Sequence, residues 1–261
     1  MMRKSIGWGV AQAYRLAGAR RRAVLRVRMP GTILPVVFHA AKAGEVRRIL
    51  EWLERKGLLD NAWLSFDDGW REFAETVKVL ETFGKPVTLF IAPGETRRGK
   101  IWTDGLSVPQ RQALYGLAEA DRYLELAKLQ SREHSASLLG EAEIRSLARH
   151  PLVRIGNHTW SHMSCTHRPV PEVLDEVDRA QATLTEWCGY APVDFAYPFG
   201  RGTAELDAEI RKRGMTPHYT RQGLVTAETR GAARNMAYEG MSLAENLGRI
   251  LQAWPKVGTT L

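Results

Sequence analysis

Short apolar runs alternate with amphipathic segments along most of the chain. The runs at 32–38, Ala62–Phe66 and Val87–Ile91 have the length and composition of buried strands. Between them, 45–55 places apolar residues on one face at helical spacing, and 71–83 is a second predicted helix, ended by Gly84 and Pro86. The order strand, helix, strand, helix, strand favours parallel strands joined by crossover helices, so the pattern predicts an α/β fold.

The pattern changes after residue 93 and later returns. Residues 94–140 begin polar and then show helical spacing over 108–130, and we expect this insertion to cover one end of the sheet. From residue 141 onwards, helices and strands alternate again. The predicted helices are 141–149, 171–187, 204–213 and 243–254, and the predicted strands are 152–155, 194–197, 218–220 and 233–236.

Length and composition limit the class of protein. The chain has 261 residues, of which 44% are hydrophobic and 25% charged, as in an ordinary globular protein. This length suits one α/β barrel or two small domains. No apolar run approaches the ~20 residues of a membrane span, and the N-terminus lacks the pattern of a secretory signal. Cys165 and Cys188 are too few for a disulfide framework, so we expect a reducing, cytoplasmic location.

The net charge of +8 is concentrated in residues 1–30, which hold eight basic side chains and no acidic one. Without these eight, the 37 lysines and arginines fall to 29, which equals the number of acidic residues. Trp8 and Tyr14 are interleaved with the charge, so we expect this basic arm to lie on an anionic membrane surface or to pack on the domain as a solvated helix. No nucleic-acid-binding motif accompanies it, which argues against a nucleic-acid partner.

Two adjacent carboxylates, Asp67 and Asp68, end the predicted strand Ala62–Phe66. Alone they could be no more than an Asx turn before Gly69. Side chains alternate along a strand, however, so one carboxylate can hold a cation while the other moves a proton. His158 and His162 are four residues apart, a spacing that would bring both imidazoles to one face of a helical turn. With one aspartate they form a candidate set of three metal ligands with an open position, as hydrolysis requires.

Further candidates also follow predicted strands. His39 ends the first strand, and the stretch 195–200 (Phe-Ala-Tyr-Pro-Phe-Gly) is a strand end that breaks into a turn. In isolation, His39 could be a core histidine and the second stretch a turn with aromatic packing. The ends of parallel barrel strands emerge on one face, where active sites are found. We therefore expect His39, the two aspartates, His158 and Tyr197 to share that face.

Three ordered stretches, Phe-Asp-Asp-Gly at 66–69, His-Thr-x-x-His at 158–162 and Tyr-Pro-Phe-Gly at 197–200, resemble the motifs of a known family. This family is the polysaccharide deacetylases of carbohydrate esterase family 4, also called the NodB-homology family. The resemblance covers roughly residues 32–236. It implies a distorted (β/α)7-type barrel related to the TIM barrel, formed here by residues 31–261 with the insertion at 94–140.

The resemblance also implies roles for particular residues. Asp68, His158 and His162 would bind a divalent metal, most often zinc, with cobalt, nickel or manganese as alternatives. Asp67 would be the general base that takes a proton from water. The backbone N–H of Tyr197, with the metal, would hold the oxyanion.

Two departures from the best-known branch of the family concern the catalytic base and acid. Ala196 stands where that branch has the arginine that orients the base, and its C-terminal Leu-x-His is absent. Both departures resemble the branch that deacetylates bacterial exopolysaccharide, which has an aromatic-histidine pair on the first strand. Phe38-His39 fits that pair and makes His39 the candidate acid. Arg234 is the candidate replacement for the missing arginine.

The resulting prediction is a metal-dependent deacetylase that removes N-acetyl groups from amino sugars in bacterial O-antigen or lipopolysaccharide biosynthesis. The partner would be an amino sugar on a nucleotide, lipid or glycan carrier, and the basic arm would contact the inner membrane. Two alternatives remain at this point. One is a cyclic-amide hydrolase of a metal-free branch, and the other is a degenerate barrel that binds glycans without turnover.

Overall fold

Seven parallel strands form one sheet in the computed structural model, which describes residues 18, 21–129 and 137–251. The order in the sheet is β6-β5-β4-β3-β2-β1-β7, and each neighbouring pair is parallel. The strands are β1 (Leu34–Phe38), β2 (Ala62–Phe66), β3 (Val87–Ile91), β4 (Val153–Asn157), β5 (Asp194–Ala196), β6 (Thr216–His218) and β7 (Asn235–Met236).

Helices supply the crossover connections that parallel strands require. They are α1 (Ala43–Arg55), α2 (Phe73–Phe83), α3 (Pro93–Arg98), α4 (Val108–Leu114), α5 (Glu119–Lys128), α6 (Glu141–Leu147), α7 (Val170–Cys188), α8 (Ala204–Lys212) and α9 (Leu243–Ile250). A 3₁₀ turn, Pro198–Gly200, follows β5. A further helical stretch at 21–27 packs Ala23 and Val27 into the core ahead of β1.

The central strands are covered on both faces. Every residue of β1 and β3 is buried, as expected for a parallel sheet between helical layers. The apolar stripe of α1 (Val46, Ile49, Leu50 and Leu53) packs into the same core as Leu34 and Leu64. Burying these faces is the main driving force that fixes the helices on the sheet.

Irregular backbone bridges the two edges of the sheet. Within the described ranges, β6 and β7 do not pair with each other. Instead, Tyr219 N–H donates to the Gly231 carbonyl at 2.8 Å, and Arg234 N–H donates to the Arg221 carbonyl at 3.0 Å. The sheet is therefore a curled, partly closed barrel, which confirms the predicted α/β class and the distorted (β/α)7-type architecture.

The insertion differs from its prediction. One helix was expected over 108–130, but the chain forms α4 and α5 with a break at 115–118. Gly116, a poor helix former, lies in that break. The polar start of the insertion, for which no helix was predicted, is also helical, as α3. Strand β6 begins two residues before the predicted 218–220 strand.

The sequence led to two expectations about a membrane: that the chain has no membrane-spanning segment, and that the basic arm lies on a membrane surface or packs on the domain. Among the described helices, none is both long enough and apolar enough to cross a bilayer. The prediction for the basic arm falls mostly on residues 1–17 and 19–20, which lie outside the described residues.

Candidate active site

The carboxyl ends of the strands form an open cleft of about 570 Å³. Asp67 N–H donates to the Phe38 carbonyl at 2.9 Å and His158 N–H to the Ile91 carbonyl at 3.0 Å, so each residue directly continues its strand. The cleft is lined by His39, Ala40, Asp67, Asp68, Trp70, Thr103, Asp104, Gly105, Arg111, His158, His162, Phe199, Gly200, Thr220, Met236, Ala237, Tyr238 and Glu239. The sheet thus brings together five of the sequence candidates that lie far apart in the chain.

Asp68, His158 and His162 form a compact buried cluster whose ligand atoms all lie within 4.8 Å of one another. Asp68 Oδ1 is 3.4 Å from Nε2 of His158 and 3.3 Å from Nε2 of His162. One carboxylate oxygen and two imidazole nitrogens are a donor set typical of a zinc site with an open position.

The surroundings of the cluster fit a divalent cation. Asp68 Oδ1 is buried and has no hydrogen-bond partner among the described residues, whereas Oδ2 accepts from the Trp70 indole at 3.1 Å. His158 Nδ1 lies 2.7 Å from the Ala196 carbonyl, which can only accept. The neutral form of that imidazole therefore carries its proton on Nδ1, which leaves the lone pair of Nε2 for a metal.

Electrostatics favour the metal-binding protonation states. Burial alone would raise the pKa of Asp68, but His162 and His158 beside it hold that pKa well below its usual range. For His162, burial and the positive charges of His158 and Arg122 together lower the pKa, although the Asp68 carboxylate raises it. An ionised Asp68 and a neutral His162 are the forms that bind a metal.

Asp67 is held by Arg234 rather than by the histidine pair. The Arg234 guanidinium donates from Nη1 to Oδ1 at 2.6 Å and from Nη2 to Oδ2 at 3.0 Å, and both side chains are buried. Burial would raise the pKa of Asp67, but Arg234, His158 and His39 together lower it. His39 Nε2 lies 3.8 Å from Asp67 Oδ2 and is partly exposed to the cleft. The structure therefore places both Arg234 and His39 close to this carboxylate.

Backbone strain is concentrated at this site. Among the described residues, the non-glycine residues with positive φ are Asp68 (75°), Thr159 (61°), His162 (49°) and Phe199 (59°). Such conformations cost free energy and persist only where neighbouring contacts hold them. The segment after β4 is a loop, so the predicted helical turn carrying both histidines was wrong. The imidazoles still converge, with ring centroids 4.9 Å apart, because the loop folds back on itself.

Tyr197 does not provide the expected oxyanion contact. Its backbone N–H donates to the His218 carbonyl at 3.1 Å, which extends the pairing of β5 with β6. Its hydroxyl donates to Asp207 at 2.8 Å, and neither residue is among those that line the cleft. That prediction was wrong because the neighbouring strand already uses the amide.

Sequence reasoning assigned no role to several residues that lie against the ligands or line the cleft. Trp70 orients Asp68, and only its place two residues after that aspartate could have indicated this role. The insertion contributes Trp102, whose indole donates to the His162 carbonyl at 2.9 Å. It also lines the cleft with Arg111, and the exposed Tyr238, which follows β7, lines the cleft as well. No pattern in the sequence placed these last three side chains.

A model of the polysaccharide deacetylase family matches residues 59–218, which is more than half of the chain. The chain belongs to this family. Its members are hydrolases that cleave the amide bond of N-acetylated amino sugars, and they are generally metal dependent. The match includes the Asp67-Asp68 and His158–His162 stretches, whose geometry is described above.

Solved structures share the fold of this polysaccharide deacetylase at low sequence identity. The deacetylase PplD of Streptococcus pyogenes, solved with acetate, aligns with a TM-score of 0.60 and 16% identity over 85% of this chain and 99% of its own. IcaB from Ammonifex degensii aligns with a TM-score of 0.58 and 16% identity, over 84% of this chain and 95% of its own. The BpsB deacetylase domain from Bordetella bronchiseptica aligns with a TM-score of 0.54 and 13% identity, over 79% of this chain and 96% of its own. No curated protein sequence matches the chain.

Proposed function

We propose that this chain is a zinc-dependent deacetylase that removes N-acetyl groups from an amino sugar during the biosynthesis of a bacterial O-antigen or lipopolysaccharide. The observation that carries the metal dependence is Asp68 Oδ1, a buried carboxylate oxygen that faces two imidazole nitrogens and lacks a hydrogen-bond partner among the described residues. A carboxylate in this state is costly unless a cation compensates it. Cobalt, nickel and manganese suit the same donors, and metal analysis distinguishes them.

A divalent ion at Asp68, His158 and His162 would supply Lewis acidity and a lowered pKa for water. Asp67 then accepts the proton of the attacking water, and Arg234 keeps both oxygens of this carboxylate oriented and ionised. The water oxygen bonds to the acetyl carbon. The carbon–nitrogen bond breaks as the nitrogen receives a proton, which we assign to His39. The products are acetate and the free amino sugar.

The cleft favours a polar substrate that is larger than one acetyl group. Its 570 Å³ volume lies within the range of small-molecule sites. Trp70, Phe199 and Tyr238 give it aromatic surface, while Asp104, Arg111 and Glu239 give it charge. This combination suits a sugar, whose ring faces pack on aromatic side chains while its hydroxyls form hydrogen bonds.

Carrier and location extend this proposal. A nucleotide or lipid phosphate would give the substrate negative charge, and the basic arm of residues 1–30 would hold the enzyme at the cytoplasmic face of the inner membrane. The support is the concentration of positive charge in that arm. Comparing liposome sedimentation of the full chain and of a chain lacking residues 1–20, at low and high salt, tests the contact while leaving the core residues Ala23 and Val27 in place.

The central experiment combines metal analysis with a deacetylation assay on N-acetylated amino sugars. Wild type should contain about one divalent ion per chain and release acetate. His158→Ala should lose both properties. His150→Ala is the matched control, because His150 pairs with Glu81 away from the cleft and should leave both unchanged. Equal metal content in wild type and His158→Ala would exclude the proposed site, and a metal-loaded wild type that releases no acetate from any amino sugar would favour a glycan-binding barrel.

A further inference from the structure

The backbone of the loop that carries His162 is held by the insertion. Three consecutive carbonyls each accept one hydrogen bond from a different part of it. The Trp160 carbonyl accepts from Gly94 N–H at 2.9 Å. The Ser161 carbonyl accepts from Arg122 Nη2 at 2.8 Å, and the His162 carbonyl accepts from Trp102 Nε1 at 2.9 Å. We call Gly94, Trp102 and Arg122 the insertion clamp.

His162 depends on its backbone more than His158 does. The His158 ring is fixed by its Nδ1 contact with the Ala196 carbonyl. His162 Nδ1 is buried and has no hydrogen-bond partner among the described residues. The backbone of His162 is also strained, at φ 49°. Because Nδ1 of His162 makes no hydrogen bond to the described residues, two other factors set the position of this imidazole. They are the packing of the ring and the loop backbone that the clamp holds.

Buried contacts fix the parts of the clamp to one another. Glu95, which is fully buried, accepts from Trp102 N–H at 2.8 Å and from the Tyr123 hydroxyl at 2.5 Å. The Arg122 guanidinium lies 4.8 Å from the centre of the Trp102 ring and also donates to Ser161 Oγ at 2.7 Å. The insertion therefore acts as one unit on the loop.

Gly94 shows how closely the two segments approach. A Cβ at this position would lie 2.7 Å from the Trp160 carbonyl oxygen and 2.6 Å from the indole nitrogen of Trp160. The first contact is with backbone, which cannot move aside without shifting the loop. Only glycine leaves room for this hydrogen bond.

We infer that the insertion clamp positions the metal ligand His162, and that Trp102 is a positioning residue for metal binding and turnover in addition to packing in the insertion. This inference rests on the proposed metal site. Thr103, Asp104 and Gly105, which follow Trp102 directly, line the cleft. The same segment therefore both lines the cleft and holds the backbone of a metal ligand.

The test is Trp102→Phe, which keeps a large ring and removes the indole N–H that His162 uses. Trp187→Phe is the matched control. Trp187 is equally buried, at 3% exposure, but its indole N–H has no hydrogen-bond partner among the described residues. Both changes therefore remove the same atoms, and only the first removes a hydrogen bond to a ligand-bearing residue.

Zinc affinity is measured on the metal-free full chain by competition with a chelator, and the visible spectrum of the cobalt-loaded protein reports ligand geometry. For Trp102→Phe, we expect zinc affinity to fall about tenfold, the cobalt spectrum to change, and kcat to fall about tenfold with KM within about twofold. Trp187→Phe should stay within about twofold of wild type in each measurement.

The outcomes separate this inference from the proposed function. Equal zinc affinity, cobalt spectrum and kcat for wild type and Trp102→Phe would overturn the inference and leave the metal site standing. Equal losses in Trp102→Phe and Trp187→Phe would also overturn it, because loss of packing would then explain both. A wild type that binds neither metal would overturn the metal site and the inference together.

Discussion

Asp67 and Glu95 are buried carboxylates in two regions that are built differently. Asp67 ends β2 and makes a bidentate contact with one buried guanidinium, Arg234. Glu95 lies in α3 and accepts from a tyrosine hydroxyl and a backbone N–H. Arg98 lies 3.6 Å away, is one-third exposed and is also paired with Glu119, and the buried Arg122 acts on the Glu95 charge as well.

The pKa values of these two groups move in opposite directions. Burial raises the pKa of both, and for Glu95 burial prevails and the pKa reaches about 7. For Asp67, Arg234 and the imidazoles of His158 and His39 outweigh burial and lower the pKa. A buried carboxylate therefore remains charged when cationic groups lie close to it and one of them donates hydrogen bonds to both of its oxygens. This difference keeps Asp67 in the unprotonated form that a base requires at neutral pH, whereas the hydrogen bonds of Glu95 join parts of the insertion.

Among substitutions next to Asp67, removal of His39 should lower kcat the most. A positioned acid contributes typically ~10²–10⁴-fold, because the leaving amine nitrogen must be protonated. His39→Ala should therefore lower kcat by about that factor. Its metal content should match wild type, since His39 is not a ligand. A variant that keeps its metal and works within a few-fold of wild type would assign both proton transfers to Asp67.

Arg234→Lys removes the two-hydrogen-bond contact between Arg234 and Asp67 but keeps a positive charge at this position. A single ammonium cannot reproduce the two parallel hydrogen bonds, so the pKa of Asp67 should rise. We expect kcat/KM at neutral pH to fall about 10- to 100-fold, and the acidic limb of the pH–rate profile to move to higher pH.

Arg230→Lys is the control for that change. Arg230 makes a similar two-oxygen contact with Asp194, at 3.0 and 3.1 Å, outside the lining of the cleft. Its replacement should leave the pH–rate profile in place. An unmoved acidic limb in Arg234→Lys would show that Arg234 does not set the ionisation of Asp67.

Glu95→Gln tests the buried carboxylate of the insertion, and of these variants it should have the smallest effect on activity. A carboxyl with a folded pKa of about 7 and an unfolded value of 4.5 binds its proton more tightly when folded. Its contribution to stability is therefore greatest below pH 4.5 and is lost as pH rises to about 7. Relative to Glu95→Gln, the free energy of unfolding of wild type should fall by about 2–3 kcal/mol between pH 5 and pH 8.

Urea unfolding of both proteins at several pH values measures this difference, because other titrating groups cancel between them. A pH-independent difference would mean that Glu95 is ionised throughout. In that case, Arg98 and Arg122 would stabilise its charge as Arg234 does that of Asp67.

The sequence by itself was enough for the fold class and for the residues that could bind a metal. Apolar strands, amphipathic helices and polar strand ends are local patterns, and parallel strands necessarily bring their carboxyl ends to one face. This reasoning placed Asp67, Asp68, His158, His162 and His39 in one cleft, where the structure has them. The three ordered motifs identified the family for the same reason, because each motif is a short local stretch.

Only the tertiary structure decided which hydrogen-bond donors pair with which acceptors. The Tyr197 amide pairs with a strand 21 residues later in the chain, and Arg234 reaches Asp67 across 167 residues. The clamp joins Trp102 to His162 across 60 residues. Hydrogen bonds between distant segments depend on how the sheet curls and how the insertion folds over it. A one-dimensional pattern does not contain that geometry, because each donor has many acceptors within reach of the chain until packing selects one.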